Sequence, residues 1–316
     1  MTYKRARRVA AVSLPLLLAC LPVLAQQAEP EQEKLKPGAQ TQAPAPPSGS
    51  PPPSPAAKEE PSIQDNSFLI EEAYNQEYGV VQHISSFGRF WESRDWTYTF
   101  TQEWPVNPAP RHQLSYTISA THAGAFSTSA GGSGGGIGDI ALNYRYQLVG
   151  SGKARIAFAP RFSVRLPTGA SRLGRGSGAV GFQTNLPLSI VVFPRKLVTH
   201  WNAGATFTPS AKNELDQKAF TAGYNLGQSL VWLARPRFNV LLETVLENSE
   251  GVVAPDKTVR ENSLLLSPGI RWAHNLKSGL QIVPGFAVPI GVGPSQGEKG
   301  IIFYLSFEHP FKKIAD

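Results

Sequence analysis

From Asp95 to the C-terminus the chain alternates on two scales at once, and few folds satisfy both. Within segments of about ten to fourteen residues, apolar and polar side chains alternate with period two, as on a strand with one oily and one wet face. Trp96, Tyr98, Phe100 and Trp104 fall on one face, and Thr97, Thr99, Thr101 and Glu103 on the other. Between segments, short connections (107–110, 150–152, 194–196, 235–236, 275–278) alternate with longer polar ones (124–135, 168–178, 209–217, 248–257, 293–298). Strands that run up and down a membrane, with tight turns on one side and loops on the other, produce that rhythm.

Eleven segments carry the alternation, ending with 300–311. With the short turns in the periplasm, the strand that begins at Asp95 runs inward and must start outside. A secreted N-terminus lies in the periplasm, so one more strand has to carry the chain out, and 78–90 is the segment available. The expectation is therefore an all-β, transmembrane, antiparallel up-and-down β-barrel of twelve strands, the even count of single-chain bacterial barrels. Closure is a physical requirement, because hydrocarbon offers no partner to backbone N–H and C=O groups at an open sheet edge. Aromatic pairs near strand ends (Trp96 with Trp104, Trp201 with Phe207, Tyr224 with Trp232) suit the girdles at the two lipid interfaces. Pro160, Pro187, Pro268 and Pro284 fall inside predicted strands, where each lacks a ladder donor. They point to bulges or breaks.

The rest of the chain divides by composition. Residues 1–25 read as a signal peptide, with Lys4, Arg5, Arg7 and Arg8 ahead of an apolar stretch. Those four residues account for most of the formal net charge of +7, so the basic balance gives no argument for nucleic acid. Cys20 is the only cysteine. It stands in a Leu-Leu-Ala-Cys context that offers lipidation as a second reading of the leader, although the apolar residues after it suit a lipoprotein tether poorly. Residues 26–62 are rich in Pro, Ala, Gln and Ser and read as a disordered periplasmic linker, with a cell-wall or other periplasmic partner as a candidate ligand. Residues 63–77 read as a short helix or plug, with Phe68, Leu69, Ile70, Ala73 and Tyr74 on its oily side and Glu71 and Glu72 near its N-terminal end. Residues 78–316 form the barrel.

Three motifs, Gly136-Ile137-Gly138-Asp139-Ile140-Ala141-Leu142-Asn143-Tyr144, Phe162-Ser163-Val164-Arg165-Leu166-Pro167-Thr168-Gly169 and Gly174-Arg175-Gly176-Ser177-Gly178, resemble a family of bacterial outer-membrane proteins. That family comprises transporters related to meta-pathway phenol-degradation proteins. The resemblance implies a barrel concerned with passage of small molecules and brings no catalytic residues with it. The Pro-rich extension is not part of the family's pattern.

With the aromatic face outward, Asp139, Arg145, Arg161, Arg165, Glu243, Glu261 and Arg271 point inward and are the candidate lumen-lining charges. They read as an ion-pair network bracing the wall, or as a surface selecting polar or anionic solutes. A tight turn at 150–152 predicts Asp139 opposite Ser163, diagonal to Arg161 and Arg165. His83 and Ser85 share a face of their strand and offer a hydrolase pair. The other histidines lack metal-ligand spacing, and no cofactor is expected. The function expected is a channel or passive transporter in the outer membrane, in contact with lipid and small solutes and performing no chemistry. A structural anchor with a filled barrel and a lipid hydrolase are the alternatives.

Overall fold

The computed structural model describes residues 63, 65–106, 109, 111–123, 134–152 and 154–311. The signal peptide, Cys20, the Pro-rich linker and the loop 124–133 lie outside the described residues.

Twelve strands form one closed sheet. They are β1 (Val80–Phe90), β2 (Trp96–Pro105), β3 (His112–Ala123), β4 (Gly134–Ile137 and Ile140–Tyr146), β5 (Ile156–Phe158 and Arg161–Leu166) and β6 (Gly181–Asn185 and Leu188–Phe193). They continue with β7 (Leu197–Lys212), β8 (Lys218–Arg235), β9 (Phe238–Ala254), β10 (Lys257–Trp272 and His274–Asn275), β11 (Gln281–Ala287 and Ile290–Gly291) and β12 (Gly300–Pro310). Each pairs antiparallel with its neighbours in sequence. The seam closes where β12 meets β1 in an unbroken register from Val80↔Pro310 to Phe90↔Gly300. No edge is left open, as a sheet in hydrocarbon requires.

The prolines mark two kinds of position. Pro160 separates the two parts of β5, and Pro187 the two parts of β6. Pro268 and Pro284 remain within β10 and β11, and the Pro268 carbonyl still accepts from Val288 N at 2.9 Å. The ladder tolerates them because only the missing N–H is lost.

Side-chain alternation decides the radial direction. Along β8, Phe220, Tyr224, Leu226, Leu230 and Trp232 are exposed, whereas Ala219, Thr221, Ser229 and Val231 are buried. Trp232 leaves 57% of its surface open and Leu226 49%. An apolar row this open belongs against lipid. The interior is the inverse of a soluble core: Gln82, Gln113, Asn143, Ser163, Asn239, Glu243, Ser267 and Arg271 are all buried.

Strands β7 to β10 are longer than the sequence suggests, at 16, 18, 17 and 16 residues. At about 3.3 Å per residue they outreach the roughly 25 Å apolar band of such barrels and project beyond it. The expected loop 209–217 therefore shrinks to 213–217. The expected loop 248–257 becomes a turn at Pro255 and Asp256, with Asp256 in the left-handed region (φ 56°).

Residues 65–77 form no helix; the chain there is irregular. The reason is on the walls. The backbone N–H groups find side-chain acceptors projecting from the strands, so the segment needs no internal ladder to satisfy them.

Candidate functional site

The polar inner surface and the segment that crosses it form the candidate site. Ile63 is buried with Ala273 and Val283, where β10 and β11 approach their shared turn. Next, Asp65 Oδ1 accepts from Gln82 Nε2 at 2.7 Å and from the Tyr304 hydroxyl at 2.6 Å, while Arg271 Nη1 donates to the carbonyls of Asp65 (2.5 Å) and Asn66 (2.6 Å). Phe68 packs edge-on to Tyr304, with ring centroids 5.6 Å apart. It rests against two glycines of the wall: a Cβ on Gly285 would lie 2.4 Å from Phe68 Cε1, and one on Gly269 would lie 2.5 Å from Cε2. Glycine inside a strand is costly, and here close approach of another chain segment explains it.

The segment then crosses the lumen. Glu243 Oε1 accepts from Leu69 N (2.9 Å) and Ile70 N (3.1 Å). Asn202 grips both sides of Glu71: its Oδ1 accepts from Glu71 N at 2.9 Å and its Nδ2 donates to Glu71 O at 2.8 Å. Past this point Ala73 N donates to Ser189 Oγ, Asn75 N to Gln147 Oε1 and Gln76 N to Gln113 Oε1. Tyr74 is buried with Ala157 and Ala159. Strands β1, β3, β4, β6, β7, β9, β10 and β12 all contribute partners.

Glu71 is the charged centre of the crossing. Its carboxylate meets Arg145 Nη2 at 3.0 Å and Arg161 Nη2 at 2.7 Å, and Arg161 Nε also donates to it at 3.1 Å. Arg161 is further fixed by Asn143 Oδ1 (2.9 Å), Ser163 Oγ (2.6 Å) and Gln183 Oε1 (3.1 Å). Arg145 donates to the Tyr74 carbonyl at 3.2 Å. A carboxylate between two guanidinium groups, each held by neutral acceptors, is a strong charge-assisted arrangement.

Glu71 also lies at the floor of a polar cavity of about 730 Å³ that opens toward the loop-bearing end of the barrel. Arg165, Gln183, Asn185, Asn202 and Thr206 are among its walls. A smaller cavity of about 150 Å³, lined by Ile63, Tyr74, His200 and Arg271, lies on the other side of the segment.

Six of the seven predicted lumen charges divide into three pairs, and Glu261 stands apart. Arg145 and Arg161 come together on Glu71, and Glu243 and Arg271 hold the segment's backbone. Asp139 and Arg165 form a looser pair at 3.9 Å. Asp139 serves mainly as an anchor for the β5–β6 loop, accepting from Gly169 N (3.1 Å), Ser177 N (2.8 Å) and Ser177 Oγ (2.7 Å). Glu261, opposite Ser249 on the projecting part of β10, is exposed and joins none of these contacts. The register predicted for Asp139 needs correction. Ser163 faces Asn143, and Arg161 faces Arg145. The connection from β4 to β5 is wider than a tight turn, since Val149 bridges Phe158 across it, and Asp139 is carried beyond Leu166.

His83 and Ser85 are on the outer face, since Gln82 and Ile84 are the buried residues between and beside them. The Ser85 hydroxyl is 3.2 Å from that of Tyr98, and the His83 ring stacks with Phe100 and His309. Among the described residues no cluster of metal-ligating side chains occurs.

Glu71, Asn202, Gln183 and Asn185 were not singled out as site residues by the sequence. The last three sit at inward positions of the period-two pattern, which is the signal that could have found them. Glu71 precedes the first strand and has no such marker.

No family model matches this sequence, and no curated protein matches it in sequence. Among solved structures, an outer-membrane channel from Pseudomonas putida F1 superposes with a TM-score of 0.57 at 11% identity, over 75% of this chain and 97% of that one. The NanC porin aligns over 71% of this chain and 98% of its own at 8% identity and a TM-score of 0.48. At such identities the likeness to the channel is one of fold. Together with the apolar outer belt and the polar interior, it makes the molecule a twelve-stranded β-barrel of the bacterial outer membrane.

Proposed function

We propose that this barrel is a channel for small polar solutes, with residues 65–77 as its gate. The observation that carries the reading is the way the segment is held. It spans the lumen below a polar cavity of about 730 Å³, and it is attached to the wall by side-chain hydrogen bonds, ion pairs and the packing of Phe68 and Tyr74 rather than by strand pairing. Such contacts can be exchanged for water or solute without unpairing the barrel. The fold shared with an outer-membrane channel supports the same reading, as does the motif resemblance over residues 136–190. The long-loop end then faces outward, and solute enters through the large cavity.

The test is conductance in planar bilayers of the full chain and of a form lacking residues 63–77. The full chain should show low or intermittent conductance and the deleted form a steady open pore. Silence from both would sink the channel reading. It would favour the second reading, a structural anchor, for which a filled interior is equally suited.

A further inference from the structure

We infer that Arg145 and Arg161 form a carboxylate-binding subsite for the solute, occupied in the resting barrel by Glu71 of the chain itself. The inference rests on the channel reading for its physiological role, but the site can be tested by binding alone.

Three observations converge. First, the two guanidinium groups come from adjacent strands, β4 and β5, and stand directly opposite each other in register, Arg145↔Arg161. Two cations side by side in a wall repel unless an anion lies between them, and Glu71 supplies it through both carboxylate oxygens. Second, Arg161 is oriented from behind by neutral groups of the wall, while Arg145 donates to the Tyr74 carbonyl of the crossing segment. Asn143, Ser163 and Gln183 accept from Arg161, so its geometry does not depend on Glu71 alone. Third, Glu71 is reachable from the open cavity. It retains 26% exposure on its side chain, and Arg161 lines the same cavity with Gln183, Asn185 and Asn202.

A small organic carboxylate entering that cavity carries the same functional group as Glu71. Amide and hydroxyl side chains around it suit a ligand that also bears hydroxyl groups. Exchange of one carboxylate for another leaves the arginines paired throughout, so neither cation is stranded in the wall. Departure of Glu71 would release the middle of the crossing segment, where Asn202 is the neighbouring anchor. Ligand binding and opening are then linked, because Glu71 and the solute cannot both hold the site.

Calorimetric titration of detergent-purified full-length protein with gluconate, and with glucose as its uncharged counterpart, tests this. Glu71→Gln should bind gluconate about tenfold more tightly than the unmodified chain, because the competing internal carboxylate is gone and the site is free in more molecules. Adding Arg161→Gln should abolish the gain, and glucose binding should be the same in all three. Should Glu71→Gln fold poorly, Glu243→Leu frees Leu69 and Ile70 beside Glu71 without touching either arginine or the cavity wall, and should tighten gluconate in the same direction. Equal gluconate affinity in the unmodified chain and in the folded variants overturns the subsite, as does an equal gain for glucose. Glucose flux into proteoliposomes, measured with the form lacking residues 63–77, reports on the channel separately. Its absence would defeat the channel reading and leave the binding result standing.

Discussion

Gly285 and Gly269 show how one missing side chain can shape a lumen. Both would place a Cβ within 2.5 Å of the Phe68 ring, so the wall is hollowed where the ring rests. Gly285→Ala should therefore push Phe68 out at a cost of about 1–3 kcal/mol, the usual penalty of overpacking. The barrel should stay intact while proteolysis near Phe68 and conductance both rise. Combining it with Phe68→Ala should remove most of the effect, as a double-mutant cycle would record. Glu243 permits a second experiment at this scale. Its Oε1 accepts from two backbone N–H groups, and Gln would keep an acceptor there whereas Leu would not. Glu243→Leu should speed hydrogen exchange at Leu69 and Ile70, each unpaired N–H costing about 1–3 kcal/mol, and Glu243→Gln should change far less.

Elements were legible in the sequence to the extent that they obey a period. The twelve strands follow from alternation and connection length, and Pro160 and Pro187 mark real interruptions. Besides the extra length of β7 to β10, two features were not legible. The offset between β4 and β5 depends on a non-periodic connection whose Val149–Phe158 bridge no local pattern announces. The crossing segment reads as helical because its apolar residues are clustered, yet Phe68, Ile70 and Tyr74 pack against different parts of the wall, so helical spacing has no meaning there. The partners that decide its path are scattered along the sequence, Gln82 lying 17 residues from Asp65 and Asn202 131 residues from Glu71. The β5–β6 loop makes a prediction of its own. Asp139→Ala removes the acceptor for Gly169 and Ser177 and should expose residues 167–178 to protease without altering strand content. The outer end of that loop is clasped to the β7–β8 turn by Arg172 and Asp216. Hydrogen bonding from Arg172 holds the Asp216 carboxyl below its ordinary value. The clasp is therefore complete above the normal aspartate range and is lost as pH falls through the depressed value. Loop protection factors, which correct for the pH dependence of intrinsic exchange, should fall on acidification in the native protein and stay flat in Asp216→Asn.

For the whole molecule, the inside-out distribution of polarity is the governing property, and it makes location predict tolerance. Leu266 is exposed on the outer face, opposite Thr244, which in turn faces Gln228 midway between the outward Tyr224 and Trp232. Leu266→Arg should cost about 2–4 kcal/mol in denaturant unfolding from lipid vesicles, the toll of a cation near the bilayer midplane. Glu261→Arg, on the exposed part of β10, should stay within about 0.5 kcal/mol of the unmodified barrel.

The placement of Asp65 has a consequence for the order of assembly. Its carboxylate is held at once by Gln82 from the first strand and Tyr304 from the last. That pair of neighbours exists only once the two ends of the sheet have been zipped together. Docking of Asp65, on the part of the chain synthesised before every strand, must therefore wait for the seam, and a barrel caught before that seam is sewn cannot complete this end of its crossing segment.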